Sequence, residues 1–182
     1  YEERRKVKYR EYLRNKEQEI LVEKAEEEKV LKYNYPDLME VLDFSNSEIR
    51  LWERRKTDDD FLNIRIGHGK IPLLAEYEYQ KERFMLDEDK LEQEMYNLIY
   101  RPVLLQDVPI MNSLVDNYVC GVSGREELRL DFIRNFILQI VMTHSYDEVK
   151  LFFLADQNDL NKMNFMRYLP HLWDDERTIR FI

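Results

Sequence analysis

The chain has 182 residues, of which 44% are hydrophobic and 13% aromatic, a composition typical of globular rather than disordered proteins. A chain of this length buries on the order of 70% of its unfolded surface, which suffices for one core and an appendage. Its formal net charge of -9 argues against broad nucleic-acid binding, which needs a basic surface. The sequence contains no apolar run of membrane-spanning length and no secretory signal.

The single cysteine and the two ends of the sequence give further expectations. Cys120 lies in an apolar run and is expected to be a small buried core residue of a protein in a reducing cytoplasm. The sequence begins at Tyr1 without a methionine, and residues 178–182 read as a strand cut off within a domain. We therefore expect the chain to be part of a longer protein.

Residues 1–33 are dominated by Glu, Lys and Arg, contain no Gly or Pro, and carry only a thin seam of apolar positions. This pattern predicts a long solvated helix or a short coiled-coil stalk over residues 1–34. The first half of the segment is basic. It is either a helix stabilised by ion pairs four residues apart or a juxtamembrane segment facing an anionic membrane leaflet, and composition does not choose between them.

Apolar runs and turn residues alternate through the middle of the chain. Residues 34–37 include Pro36, which is expected to end the first helix. Residues 61–66 alternate like a strand, which Gly67 and Gly69 are expected to close in a turn. The other predicted elements are a helix over 37–43, a turn at 45–47, strands over 71–74, 76–79 and 102–110, and a helix over 87–100.

The most regular stretch of the sequence reads as strand, turn, helix and strand. Residues 118–122 form a short apolar run, and residues 149–155 form a longer one. Between them, apolar residues recur every three or four positions over 128–141, which predicts an amphipathic helix. Because unbroken apolar runs are typical of strands covered on both faces, this order predicts two parallel strands joined by a crossover helix.

The turn before this helix can be compared with the P-loop pattern G-x-x-x-x-G-K-[ST]. The compared residues are Gly121, Val122, Ser123, Gly124, Arg125, Glu126, Glu127 and Leu128. Glu126 stands at the second glycine position, Glu127 at the lysine position and Leu128 at the hydroxyl position that would bind magnesium. The carboxylates suit the helix dipole but repel a triphosphate, and helix capping by Ser123 explains the turn without a ligand. The residues therefore indicate a catalytically dead loop at the position of a nucleotide site.

The histidines and the acidic triplet have plain structural interpretations. His68, His144 and His171 lack metal-ligand spacing. His68 is expected to lie in a turn and His171 in a loop. His144 is expected at a helix end, where its charge would stabilise the helix dipole. Residues 58–60 are three aspartates without the glycine and distal glutamate of a calcium loop, which favours a solvated turn.

Two further groups carry aromatic or basic side chains. Arg54 and Arg55 lie close to Trp52, and we expect them to pair with acids or to stack on the indole inside the protein rather than to bind a partner. Residues 163–169 are rich in methionine and aromatics. They predict a helix packed on a sheet edge or, if exposed, an adaptable docking surface.

The block 51–69 reads Leu-Trp-Glu-Arg-Arg, an acidic spacer, then Asp-Phe-Leu-Asn-Ile-Arg-Ile-Gly-His-Gly. This block resembles the membrane-proximal cytoplasmic region of the type VII secretion ATPases. The family comprises the EssC, YukB and EccC proteins of the FtsK/SpoIIIE branch, and the likeness covers about 51–172. The family-motif residues with expected structural roles are Trp52, Arg54, Arg55, Asp60, Phe61, Arg65, Gly67, Gly69, Asp156, Pro170 and His171.

The resemblance implies a fold and a cofactor pattern. The expected fold class is α/β, with a partial, degenerate RecA-like (P-loop NTPase-like) three-layer domain over 35–182, truncated at its C-terminus, after the helical stalk. Asp156 matches the acid that ends a strand in FtsK-type domains, whereas residues 157–159 lack the basic-glycine motif that follows it. No cofactor is expected in this chain, while ATP and Mg²⁺ are expected in downstream domains of the parent protein.

The resemblance also implies a location and partners. We expect the chain at the cytoplasmic face of the cell membrane, in a membrane-anchored parent that commonly forms hexamers in this family. Expected partners are other type VII secretion membrane components, the downstream ATPase domains and small helical-hairpin secreted proteins of the WXG100 type. No nucleic-acid partner is expected.

Three functions are compatible with these features. The favoured one is a non-catalytic module that couples the membrane anchor to downstream ATPase domains and supports assembly of the secretion machine. The second is a nucleotide-binding ATPase domain in which Arg125 replaces the P-loop lysine. The third is a docking module for secreted substrates or machinery partners.

Overall fold

The structure is a computed structural model that describes residues 2–46, 49–74, 90–176 and 178–181. These residues form two compact units. One unit contains the described residues between 1 and 34 and between 68 and 108, and the other contains those between 35 and 67 and between 109 and 182. The predicted strand over 76–79 and the predicted helix start at Asp87 lie outside the described residues.

Helix α1 (Glu2–Asn34) forms the long N-terminal helix that the charged, glycine-free sequence predicts. Ile20 is its buried apolar residue, so most of the helix surface is solvated. The helix ends two residues before Pro36, which cannot continue it. No helix among the described residues is both long and apolar enough to cross a membrane.

The first unit packs α1 against α3 (Lys90–Ile99). Arg10 donates hydrogen bonds to both carboxylate oxygens of Glu94 on α3, at 2.8–3.2 Å. The backbone N–H of Gln106 donates to Glu28 Oε1 at 2.7 Å. Leu91 and Leu105 are buried in this unit, so a small apolar core and a few polar contacts hold the stalk helix.

Strands β1 (Asn63–Pro72) and β2 (Leu104–Ser113) form a two-stranded antiparallel sheet. The N–H of Leu114 donates to the carbonyl of Leu62 at 3.0 Å. The N–H of Leu73 donates to the carbonyl of Val103 at 2.8 Å. The predicted turn at Gly67 and Gly69 was wrong, because β1 continues through both glycines. Both strands contribute residues to both units.

The second unit is built around α4 (Glu126–Thr143), as the apolar periodicity predicts. Two buried clusters lie along this helix. One joins Ile137 and Val141 to Met163, Met166 and Leu172, and the other joins Ile140 to Ile64 and Val149. Each fully buried aliphatic side chain contributes roughly 1.5–3 kcal/mol, so α4 carries most of the core of this unit.

Short helices complete the second unit. Helix α2 (Leu38–Leu42) packs against α4 and is followed by a 3₁₀ turn at Asp43–Asn46. Helix α5 (Gln157–Lys162) precedes two 3₁₀ turns, Asn164–Tyr168 and Pro170–Leu172. The methionine-rich segment therefore forms 3₁₀ turns, with Met163 and Met166 buried and Tyr168 exposed.

The predicted parallel strands were wrong. Residues 118–122 have no strand partner, and Tyr118 and Val119 are 90% and 93% exposed. Residues 149–155 are extended but are covered on one face only, since Phe152 and Leu154 are 71% and 97% exposed. The described residues therefore contain the antiparallel pair and no parallel sheet, and the protein is a mixed helix and sheet structure with a long N-terminal helix.

The segment after α4 is held on one edge. The N–H of Leu151 donates to the carbonyl of His171 at 2.8 Å. The N–H of Phe153 donates to the carbonyl of Phe181 at 3.0 Å. Alternate side chains of an extended segment point to opposite faces. Leu151 and Phe153 consequently face the α4 core, while their neighbours face solvent.

Cys120 is exposed, contrary to the buried position expected for it. We predict that a thiol reagent such as DTNB modifies native Cys120 nearly as fast as it modifies the urea-unfolded chain. Because Cys120 is the only cysteine, the absorbance change reports this site alone. Strong protection that disappears only on unfolding would mean that 118–122 is buried after all.

Candidate functional site

The C-terminal end of α4 receives hydrogen bonds from a distant part of the sequence. The last four carbonyls of a helix have no partner within it. The indole Nε1–H of Trp52 donates to the Val141 carbonyl at 3.0 Å, and the Trp52 backbone N–H donates to the Met142 carbonyl at 2.9 Å. One residue of the family-like block therefore closes two of the open positions.

Arg54 and His171 close the remaining positions. The backbone N–H of Arg54 donates to the Thr143 carbonyl at 3.0 Å. The Nε2–H of His171 donates to the His144 carbonyl at 2.8 Å. We call Trp52, Arg54, His144 and His171 the C-terminal cap of α4. Three separate stretches of sequence thus meet at one helix end.

The backbone leading to and from the cap is strained at two positions. Trp52 has a φ of 57° and Leu62 has a φ of 54°, in the left-handed region that costs a non-glycine residue roughly 1–2 kcal/mol. Hydrogen bonds hold both residues in place. Leu62 donates its N–H to His144 Nε2 at 2.9 Å and accepts from the N–H of Leu114 at 3.0 Å.

The side chain of Arg54 is 6% exposed and makes contacts on three sides. Its Nη1 donates to the Asn63 carbonyl at 2.8 Å, and its Nε lies 3.0 Å from Asp60 Oδ2. The guanidinium lies 4.5 Å from the centre of the Tyr35 ring. Burial lowers the pKa of Arg54, while the Asp60 carboxylate opposes this shift. Of the two alternatives predicted for Arg54, pairing with an acid is confirmed by Asp60, whereas the guanidinium covers Tyr35 rather than the Trp52 indole.

His144 is fully buried at the end of α4. Its Nδ1 lies 2.9 Å from Thr143 Oγ1 and 3.3 Å from the Ile140 carbonyl, while its Nε2 accepts from Leu62. Burial, followed by the charge of Arg54, lowers its pKa to about 4. His144 is therefore neutral near pH 7, and the predicted stabilisation of the helix dipole by its charge was wrong.

His171 is also buried, at the second position of the 3₁₀ turn that begins at Pro170. Because its Nε2 donates to His144, the neutral ring carries its lone pair on Nδ1. That atom is buried without a hydrogen-bond partner in the described part of the chain. Burial, together with the nearby Lys150 charge, lowers the pKa of His171.

Gln139 connects the middle of α4 to β1 and was missed by sequence reasoning. Its Oε1 accepts from the Arg65 N–H at 3.1 Å, and its Nε2 donates to the Arg65 carbonyl at 3.0 Å. The signal was the single polar residue within the apolar run over 136–142. Arg65 itself is buried and paired with Asp37.

The N-terminal end of α4 is open and acidic. Residues 115–128 are exposed, and Arg125 precedes the helix without a capping side-chain bond. Capping by Ser123 was therefore wrong. Glu126 and Glu127 occupy the first turn as predicted, and Glu126 is paired with Lys162. A hydrogen bond from Lys162 lowers the pKa of Glu126, and the same bond raises that of Lys162.

A shallow groove beside this acidic turn contains more acids than bases. Its lining residues are Glu126, Arg129, Asp156, Asn158, Asp159, Asn161 and Lys162. Asp156 caps α5 by accepting from the N–H groups of Asn158 at 2.9 Å and Asp159 at 3.0 Å. Among the residues that the structure describes, no group of three or more His, Cys, Asp or Glu could hold a metal ion.

The other family-like residues take ordinary structural positions. Phe61 packs edge to face on the His144 ring, with centroids 5.2 Å apart. Arg55 is exposed, and its N–H donates to Asp58 at 2.8 Å within the acidic turn. Leu128, Gly121 and Gly124 lie in the exposed segment around the start of α4. Gly124 has a φ of 155°, which side-chain-bearing residues rarely adopt.

Comparison with known proteins identifies relatives over nearly the whole chain. The type VII secretion system protein EssC of Staphylococcus aureus (strain MSSA476) is 25% identical over 179 residues, 98% of this chain. The ESX secretion system protein EccC of Geobacillus thermodenitrificans (strain NG80-2) is 29% identical over 176 residues, 93% of this chain. The chain spans 12% of the length of either relative. No protein-family model matches it.

The two neighbouring arginines provide a matched test of the C-terminal cap. Arg54→Met removes the hydrogen bond to the Asn63 carbonyl and the ion pair with Asp60, so we expect a loss of about 2–4 kcal/mol in unfolding free energy. Arg55→Met removes an exposed charge and should change the unfolding free energy by less than about 0.5 kcal/mol. Urea unfolding measures both values. Equal effects of the two substitutions would contradict the role given to Arg54.

Proposed function

This chain belongs to the EssC and EccC family of type VII secretion proteins, and we propose that it is a non-catalytic module of its parent protein. In this proposal it couples the membrane anchor of the parent to the ATPase domains and supports assembly of the secretion machine. It lies at the cytoplasmic face of the membrane, with α1 next to the anchor. ATP and Mg²⁺ act in other domains of the parent.

The observation that carries the non-catalytic assignment is the ion pair between Glu126 and Lys162. A helix N-terminus attracts phosphate because its N–H groups and dipole favour negative charge. In the first turn of α4, Glu126 and Glu127 already supply negative charge. Lys162, a cation beside this turn, is paired with Glu126. A triphosphate would therefore meet like charge and compete for an occupied lysine.

The relation to RecA-like domains is part of the proposal. In this proposal helix α4 corresponds to a P-loop helix, and Asp156, which follows residues 149–155, corresponds to the acid at the end of the next strand. The acidic turn, the absence of a lysine at Glu127 and the absence of a hydroxyl at Leu128 fit a degenerate P-loop. In this interpretation α4 persists for structural reasons, because the C-terminal cap and the core both depend on it.

The proposed partners follow from the membership in a type VII secretion family. They are other membrane components of the system, the ATPase domains of the parent and small helical-hairpin secreted proteins. The basic first half of α1 is compatible with a position near an anionic membrane surface.

Equilibrium binding of a fluorescent ATP analogue in the presence of Mg²⁺ tests the non-catalytic assignment. We expect no saturable binding by the chain, because Glu126 and Glu127 repel the phosphates. Glu127→Lys/Leu128→Thr restores two P-loop residues and should bind weakly. Fluorescence anisotropy measures both.

One outcome of the same titration would reverse the assignment. Micromolar binding by the unchanged chain, lost in Arg125→Ala but kept in Arg167→Ala, would make this a nucleotide-binding domain. Arg167 is an exposed arginine outside the α4 turn and serves as the matched control.

A further inference from the structure

The C-terminal cap of α4 contains two buried histidines whose contacts require the neutral form. His144 Nε2 accepts a hydrogen bond from the Leu62 N–H at 2.9 Å. A protonated imidazole carries hydrogen on both nitrogens. Protonation would therefore aim two N–H groups at each other and break the bond that holds the strained Leu62.

His171 imposes the same requirement by a different route. Its Nε2 donates to the His144 carbonyl at 2.8 Å, and its Nδ1 is buried without a partner in the described residues. A proton added at Nδ1 would be buried without an acceptor, which costs free energy. Opening of the Pro170–Leu172 turn would expose this atom to water.

The charged groups around the two rings do not compensate an added proton. Arg54 faces His144 from the 51–62 segment, and its charge is matched by Asp60. Lys150 faces His171, and it is paired with Asp175 at 2.9 Å. Phe61 packs edge to face on the His144 ring, and Tyr146 packs edge to face on the His171 ring. No described carboxylate stabilises either histidine in its charged form.

We propose that the C-terminal cap is a proton-operated latch, in which protonation of His144 and His171 releases the 51–62 segment and the 170–172 turn from α4. Near pH 7 the latch is closed. In acid it opens while α1 and most of α4 stay helical, because their hydrogen bonds lie outside the cap. The proton is thus the ligand to which this end of α4 responds, and this inference does not depend on nucleotide binding at the other end.

The pH range follows from the two states of His144. In the open state its pKa returns to about 6.5, whereas in the closed state burial lowers it to about 4. The stability of the closed state is therefore complete above pH 6.5 and is lost as the pH falls toward 4. At pH 5 this one histidine shifts the equilibrium toward the open state by roughly 30-fold.

Trp52 fluorescence measures the latch directly, because the indole N–H is bonded to the Val141 carbonyl. The second tryptophan is replaced by Trp173→Phe so that one indole reports. On titration from pH 7 to pH 4, we expect the Trp52 emission to change at a higher pH than the far-UV circular dichroism. His144→Gln, which accepts from Leu62 at every pH, should lower the pH of the fluorescence change.

The matched control is His68→Gln, since His68 lies outside the cap and faces Asp107. His68→Gln should not alter the pH at which the Trp52 emission changes. Coincident fluorescence and dichroism curves, or an unchanged titration in His144→Gln, would overturn the latch. If His144→Gln does not fold, the proposal is tested on the unchanged chain, by following the ring proton chemical shifts of its histidines in a pH titration. Depressed pKa values at His144 and His171 support the proposal, and ordinary values contradict it.

Discussion

Every buried helix end must find donors for its last carbonyls, and the second unit of this protein depends on how α4 meets that requirement. Trp52 donates to Val141 and Met142, Arg54 donates to Thr143, and His171 donates to His144. Each such bond contributes only about 1 kcal/mol net, but an unmet buried carbonyl costs more. The requirement therefore holds the 51–62 segment and the 170–172 turn at one place, and the strained Trp52 and Leu62 persist because these bonds fix them.

The two ends of α4 are chemically opposite, and this contrast shapes the functional account. The C-terminal end is enclosed by backbone and imidazole donors. The N-terminal end is exposed and carries Glu126 and Glu127, with Lys162 paired to Glu126. A phosphate site needs the reverse arrangement, with open N–H groups and available cations at the N-terminus. A helix with these ends is suited to joining structural elements, which agrees with the coupling role proposed for this part of a type VII secretion protein.

The helices could be predicted from sequence, but the sheet and the cap geometry could not. The periodicity over 128–141 and the glycine-free run over 2–33 specify helices locally, so α4 and α1 were confirmed. An apolar run such as 149–155 indicates burial but does not say whether one face or both faces are buried. In the structure one face of this segment is buried. Gly67 and Gly69 predicted a turn from local preference, whereas pairing with β2 keeps the strand extended. Gln139 and Tyr35 were missed because their partners are distant in sequence.

Hydrogen exchange of individual backbone amides tests the central claim most directly, namely that α4 is anchored at its C-terminal end and open at its N-terminal end. The amides of Trp52, Arg54 and Leu62 lie outside α4 yet bond to its final residues. The account predicts that these three exchange among the slowest in the second unit, while the amides over 118–125 exchange nearly as fast as in an unfolded chain. Fast exchange at Trp52 and Arg54, equal to that over 118–125, would contradict it.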